Sequence, residues 1–249
     1  MMSDDERLAA DLAAEAGRRL LALRARGGDP DALRREGDLN SHEFLAAELA
    51  RQRPGDALLS EEGKDGPERL SASRVWIVDP LDGTREFGEP GRTDWAVHVA
   101  LWEKGELTAG AVALPAQGKT LTTADPPAHG GPRSESITPR LVVSRTRPPR
   151  FTARLADKTG AVLLPLGSAG AKAAAVICGD ADAYVHSGGQ YEWDSAAPVA
   201  VALAAGLHAS RIDGSKLLYN QNPPSVPDIL ICQAALADTL LQAISSVHN

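Results

Sequence analysis

The stretch that decides the reading is Trp76-Ile77-Val78-Asp79-Pro80-Leu81-Asp82-Gly83-Thr84. Apolar, β-favouring residues from Val75 to Val78 predict a strand that delivers Asp79 at its end. Pro80 cannot extend a central strand and Gly83 permits a tight bend, so the chain is expected to turn here. Asp79 and Asp82, three residues apart at such a junction, can converge on one point. Hard cations such as magnesium take oxygen ligands, and the Leu81 carbonyl between the two acids can add one. The amides of Gly83 and Thr84 could face an anion, as at helix N-termini, with Thr84 capping a helix that follows. The same residue types also build ordinary turns, so the motif needs company before it means a metal site.

Company lies on both sides. Ser60-Glu61-Glu62-Gly63 puts two more acids at the end of a predicted strand, Ala57–Ser60. Glu192-Trp193-Asp194-Ser195 puts another acid just ahead of an Ala-rich helix, where Asp194 alone would read as a cap.

Further outward, Leu8, Leu12, Ala16, Leu20 and Leu23 recur at helical spacing and predict an amphipathic helix over 4–25, ended by Gly27, Gly28 and Pro30. The polar stretch 29–38 reads as a surface loop, and a second helix is expected over 40–53, burying Phe44, Leu45 and Leu49. Strands are expected at Val75–Val78, Trp95–Trp102 and Leu107–Leu114, the last two joined by a hairpin turn at Glu103-Lys104-Gly105-Glu106. The segment 124–139, with four prolines and adjacent glycines, reads as a linker or long surface loop and divides the chain into halves 1–138 and 139–249. Beyond it come a strand over 141–144, a helix over 150–158, a strand over 162–166, a helix over 169–178, a strand over 182–186, a helix over 195–205, and strands near 208–212 and 228–232. Alternation of this kind points to a layered α/β architecture.

Composition narrows the function class. With 249 residues the chain can bury a sizeable core. No apolar run approaches the roughly 20 residues that span a bilayer, so no membrane partner is expected. The acidic start, with Asp4, Asp5, Glu6 and Asp11, is unlike a secretory leader, and a cytoplasmic location is expected. Cys178 and Cys232 are too few and too far apart for a disulfide framework or a CxxC zinc site, and read as buried free thiols. The net charge of −7, without a Lys/Arg-rich run, argues against nucleic acid as a partner. It leaves an anionic substrate open, because bound cations invert the local field of an acidic site.

Taken together, Ser60-Glu61-Glu62, then Trp76 to Phe87, then Trp193-Asp194-Ser195-Ala196-Ala197 resemble the inositol monophosphatase superfamily. Its pattern is an EE pair, WxxDPxDGTxxF, and a WD pair before small residues, in this order and at about this spacing. Within it, Leu81-Asp82-Gly83-Thr84-Arg85-Glu86-Phe87, Val143-Ser144-Arg145-Thr146 and Gly167-Ser168-Ala169-Gly170-Ala171-Lys172 are most similar to the CysQ-type branch, the 3'-phosphoadenosine 5'-phosphate phosphatases. A basic residue that some of that branch place just after the Tyr184 region is His186 here. The glutamate that inositol-selective members place seven residues before the WD aspartate is Ser187 here.

The resemblance implies a five-layer αβαβα sandwich, an α+β or layered α/β fold of the sugar phosphatase type. It implies a magnesium-dependent, lithium-sensitive phosphatase with two or three ions. Glu61, Asp79 and the Leu81 carbonyl would hold the first, Asp79, Asp82 and Asp194 the second, with a weaker third near Glu61 and Asp38. One ion would lower the pKa of a water and the other stabilise the leaving oxygen. Thr84 and Asp38 would orient the attacking water, and Asp38 also reads as the cap of the 40–53 helix. Gly83, Thr84, Ser168, Lys172 and Asp194 would bind substrate, Lys172 at a second phosphate or in closing the site. Residues 29–37 would form a mobile flap.

The substrate implied is a small phosphorylated molecule, 3'-phosphoadenosine 5'-phosphate and its sulfated precursor, with a role in sulfur assimilation. Inositol monophosphate and fructose 1,6-bisphosphate are the alternatives, since the metal core does not choose the leaving group. A regulatory role on the transcription machinery is a further one. Many members are homodimers. Tyr191, Trp193, Trp76, Trp95, His98 and Trp102 read as packing residues.

Overall fold

The computed structural model describes residues 2–127 and 138–248. The linker expected over 124–139 therefore lies largely outside the described residues.

Two five-stranded sheets carry the chain. The first is built from β1 (Ala57–Ser60), β2 (Arg74–Asp82), β3 (Ala96–Glu103), β4 (Glu106–Leu114) and β5 (Lys119–Thr122), side by side in sequence order. Only β1 and β2 are parallel. The second is built from β6 (Arg140–Ser144), β7 (Val162–Leu166), β8 (Ala183–Tyr191), β9 (His208–Ser210) and β10 (Ser225–Cys232), in the order β7-β6-β8-β10-β9. Here β6 runs parallel to both β7 and β8, and β10 antiparallel to its neighbours.

Alternation along the strands assigns the layers, because successive side chains of a strand face opposite ways. Trp76 and Val78 of β2 pack outward with Leu12, Leu20, Leu45 and Leu49 of α1 (Asp4–Ala25) and α2 (Pro30–Gln52). Val75 and Ile77 pack inward with Ala173 and Ile177 of α5 (Ala169–Ile177) and Ala197 and Val201 of α6 (Glu192–Ala204). The second sheet meets the same two helices through Val142, Tyr184 and Ile231. Its other face, with Leu141, Val143 and Leu230, packs on Leu155 of α4 (Thr152–Thr159) and Leu240 and Ile244 of α7 (Ala237–Val247). The result is the αβαβα sandwich.

Three expectations change. Residues 30–38 are helical: Asp29 caps α2 by accepting from the Ala32 amide at 2.9 Å, and Pro30 opens the first turn, where its missing N–H costs nothing. Of the charged run, Arg35 and Glu36 are exposed on the helix and Arg34 is half-buried against Gly88, so no loop-like flap exists there and Asp38 is a mid-helix residue, not a cap. β2 continues through Pro80 to Asp82 by a shift of register between Asp79 and Asp82, which removes the ladder bond that proline could not make. β5 and α7 were not anticipated.

Candidate active site

The register shift in β2 shapes the acidic turn. Asp79 is the last residue in regular register, opposite His98, and pairing resumes at Asp82 opposite Ala96. In between, Asp79 Oδ1 accepts from the Leu81 amide at 3.0 Å, and the Pro80 carbonyl accepts from Ser41 Oγ of α2 at 2.7 Å. Gly83 follows with φ of +86°, and a Cβ there would stand 3.0 Å from the Ser168 Cβ. Glycine meets both demands, left-handed backbone and close approach. The short helix α3 (Thr84–Gly88) then begins.

Thr84 Oγ1 lies 3.0 Å from the Leu81 carbonyl and 3.2 Å from Asp38 Oδ1. Asp38 reaches it because Gly37 lets α2 lie close against Leu81 and Phe87, where a Cβ would be 2.9 Å and 3.0 Å from their side chains. Burial, reinforced by the charge of Glu62, lifts the Asp38 carboxyl to about 7 against the Thr84 hydrogen bond.

Asp82 sits at the N-terminus of α5. It accepts from Ser168 Oγ at 2.5 Å, the Ala169 amide at 3.1 Å and the Gly170 amide at 2.6 Å. Burial opposes its charge, but His98, Lys172 and Ser168 outweigh it and hold the carboxyl near 2. Asp194 falls in the first turn of α6, two residues beyond its first residue, and accepts from the Tyr191 amide at 2.7 Å. Thus it caps the helix from inside the first turn rather than from the cap position. Burial, then the charge of Asp82, raises it to about 6. Glu61 follows β1, and burial, then Asp194, Asp82, Asp38 and Glu62, push it to about 7. Asp79 is raised well above its ordinary value by complete burial and by Glu61, Asp82 and Asp194.

These acids share one cavity of about 460 Å³, lined by Glu61, Asp79, Leu81, Asp82, Gly83, Thr84, Ser168, Lys172 and Asp194. Every expected site residue is there except Asp38, which stands behind Thr84. An all-oxygen donor set in which Glu61, Asp79 and Asp194 resist ionising beside one another and beside the charged Asp82 fits a hard divalent cation, which would favour their charged forms. Ligand atoms of Asp79 and Asp82 lie with a nitrogen of His98 within 4.8 Å of one another.

A model of the inositol monophosphatase family matches residues 7–249. The chain belongs to the inositol monophosphatase family. It is 50% identical to the 3'-phosphoadenosine 5'-phosphate phosphatase of Mycobacterium leprae, over 98% of this chain and 94% of that one. It is 30% identical to the 3'(2'),5'-bisphosphate nucleotidase CysQ of Escherichia coli, over 73% of this chain and 77% of that one. The fold matches an inositol monophosphatase of Thermotoga maritima with a TM-score of 0.77 at 22% identity, covering 99% of this chain and 98% of that one.

Within this member of the inositol monophosphatase family, Lys172 is not a solvated lysine. It is buried, with Nζ 3.2 Å from the Gly167 carbonyl, hydrogen-bonded to the Ser168 carbonyl, and 5.3 Å from the Tyr184 ring centre. Burial lowers its pKa, partly offset by Asp82 and Asp194. Sequence reasoning missed Arg85, Arg147 and Gln190 as cavity residues, and gave His98 no role. His186 also lines the cavity; burial lowers it to about 4. No helix among the described residues is long and apolar enough to cross a membrane.

Proposed function

We propose that this chain is a magnesium-dependent phosphomonoesterase that removes the 3'-phosphate of 3'-phosphoadenosine 5'-phosphate, and of its sulfated form, in the sulfur assimilation of its cell. The observation that carries the reading is the convergence of Glu61, Asp79, Asp82 and Asp194 on one cavity, with the Thr84–Asp38 pair beside it. The names of the relatives at 50% and 30% identity support the substrate.

Magnesium held by Glu61, Asp79, the Leu81 carbonyl, Asp82 and Asp194 would supply Lewis acidity toward the phosphoryl oxygens and toward water. The chain's own residues do the rest. Thr84 Oγ1 aligns a water for attack, and Asp38, held near 7, accepts a proton through it at neutral pH. The amides of Gly83 and Thr84 face the phosphoryl group. Ser168 holds Asp82 in place while lining the substrate side.

The substrate side carries positive charge from Arg85, Arg147 and Lys172, suited to a second phosphate. It also carries two buried acceptors. His186 Nε2 donates to the Gly188 carbonyl at 2.8 Å, which leaves Nδ1 as an acceptor. Gln190 Nε2 donates to Tyr184 Oη at 2.8 Å, which leaves Oε1. Neither remaining atom has a hydrogen-bond partner among the described residues. Unpaired buried acceptors favour a leaving group with hydroxyl or amino donors, such as a nucleoside. In this reading residues 1–138 carry most of the metal ligands, and 139–249 carry Asp194 and the substrate side.

The test is a panel of 3'-phosphoadenosine 5'-phosphate, inositol 1-phosphate and fructose 1,6-bisphosphate with magnesium, followed by ³¹P NMR of the products. The reading expects preferred loss of the 3'-phosphate from the nucleotide. Preference for a sugar or cyclitol phosphate would overturn the substrate and keep the phosphatase; turnover of none would overturn both.

A further inference from the structure

His98 stands in β3 directly across the ladder from Asp79, with no solvent exposure. Its Nδ1 is 3.0 Å from the Trp193 carbonyl oxygen and its Nε2 is 3.2 Å from Asp82 Oδ2. One ring therefore touches both the acidic turn that ends β2 and the first turn of α6, the segments that present Asp82 and Asp194.

The ring has this place because residue 170 is glycine. A Cβ there would collide with His98 Nε2, and the Gly170 amide donates at 2.6 Å to the same Asp82 oxygen that faces the ring. Three elements, β3, α5 and α6, meet at His98. Nδ1 is hydrogen-bonded to the Trp193 carbonyl, and Nε2 stands within ion-pair distance of Asp82 without a hydrogen bond of regular geometry.

We propose that His98 is a positioning residue: by spanning the Asp82 carboxylate and the Trp193 carbonyl, it holds in place the two segments that present Asp82 and Asp194 to a divalent cation. The inference rests on the reading of Asp82 and Asp194 as cation ligands. A phenylalanine would fill the same space without a hydrogen bond, and a glutamine would restore one donor. Groups that orient ligands in this way are worth roughly 10–100-fold in metal affinity or activity.

The experiment is a titration of the full chain with Mn²⁺ alone, followed by electron paramagnetic resonance, for wild type, His98→Phe, His98→Gln and Gly170→Ala. Thermal melts and kcat and KM are measured alongside. His98→Phe is expected to melt cooperatively, to bind Mn²⁺ at least about tenfold more weakly, and to lose kcat more than it raises KM. His98→Gln should recover part of the affinity, which a role in packing alone would not predict. Gly170→Ala should weaken binding by displacing the ring, and a Gly170→Ala, His98→Ala double variant should bind no more weakly than His98→Ala alone, because the clash acts through the ring. Should His98→Phe not fold, the glutamine and Gly170 variants carry the test.

Wild-type or tighter Mn²⁺ binding in the variants would overturn the proposal. So would nitrogen hyperfine coupling on the bound Mn²⁺, which would make His98 a ligand. Absence of Mn²⁺ binding by the wild-type protein would instead defeat the ligand reading, and this inference with it.

Discussion

The contact between Thr84 Oγ1 and Asp38 Oδ1, at 3.2 Å, is where the chemistry is most exposed to test. Removing a positioned proton acceptor costs about 10²–10⁴ in rate. Asp38→Asn and Thr84→Ala should therefore lower kcat by about two to three orders of magnitude while changing KM little, as initial rates would show. A raised KM with kcat intact would move both residues to binding. The candidate ligand acids were legible in the sequence because each stands at a point where chain direction changes: Glu61 after β1, Asp79 and Asp82 at the end of β2, Asp194 in the first turn of α6. His98 was not legible. It sits in a run of buried strand residues, and only the tertiary meeting of β3 with Asp82 and Trp193 gives it a role. Gln190 and Arg147 were missed for a related reason, since the cavity they line with Asp79 and Asp82 is assembled from distant segments.

At the scale of elements, α2 matters most, because it carries Asp38 to the site. Its first two turns were read as loop on the strength of Pro30 and the charges that follow. Proline at the first position of a helix, after an aspartate cap, is a start signal, and the charges at 35 and 36 are a solvated face. Gly37 sets how near α2 lies to Leu81 and Phe87. Gly37→Val should push the helix outward and part Asp38 from Thr84, with kcat reduced at least about tenfold while the protein still melts cooperatively. Full activity in that variant would show that the close approach is dispensable. A second prediction concerns α5, whose cap Ser168 also bonds Asp82. Ser168→Ala should cost about 1 kcal/mol in a denaturant melt, the usual value of a helix cap, together with a loss of activity. The strands of the two inner faces were the easiest elements to place, since unbroken apolar runs bounded by turns left little choice. α7 was missed, although its buried face of Ala237, Leu240 and Ile244 follows helical spacing.

For the whole molecule, the sandwich holds several acids in states that a cation would change. Asp38 and Glu61 stand at about 7 and Asp194 at about 6, above ordinary values of 3.8 for Asp and 4.5 for Glu. Between those ordinary values and about pH 7, the folded metal-free protein binds more protons than the unfolded chain, so its stability falls as pH rises through that window. Asp82, held near 2, gives the opposite contribution only in more acidic solution. On the proposed reading magnesium takes the place of the protons, so its stabilising effect should grow over the same range. Melting temperatures of metal-stripped protein should drop from about pH 5 to about pH 7.5, with a larger magnesium shift at the higher pH. A magnesium shift independent of pH would contradict the shared acidic site.

The central claim is that the converging carboxylates hold the cation that removal of the 3'-phosphate requires. The direct measurement is phosphate release from 3'-phosphoadenosine 5'-phosphate by metal-stripped protein as magnesium is added back, with wild type and Asp194→Asn side by side. The account predicts no release without metal, saturable recovery in the wild type, and no recovery in a folded Asp194→Asn. Release by the stripped protein, or full recovery in the variant, would contradict it.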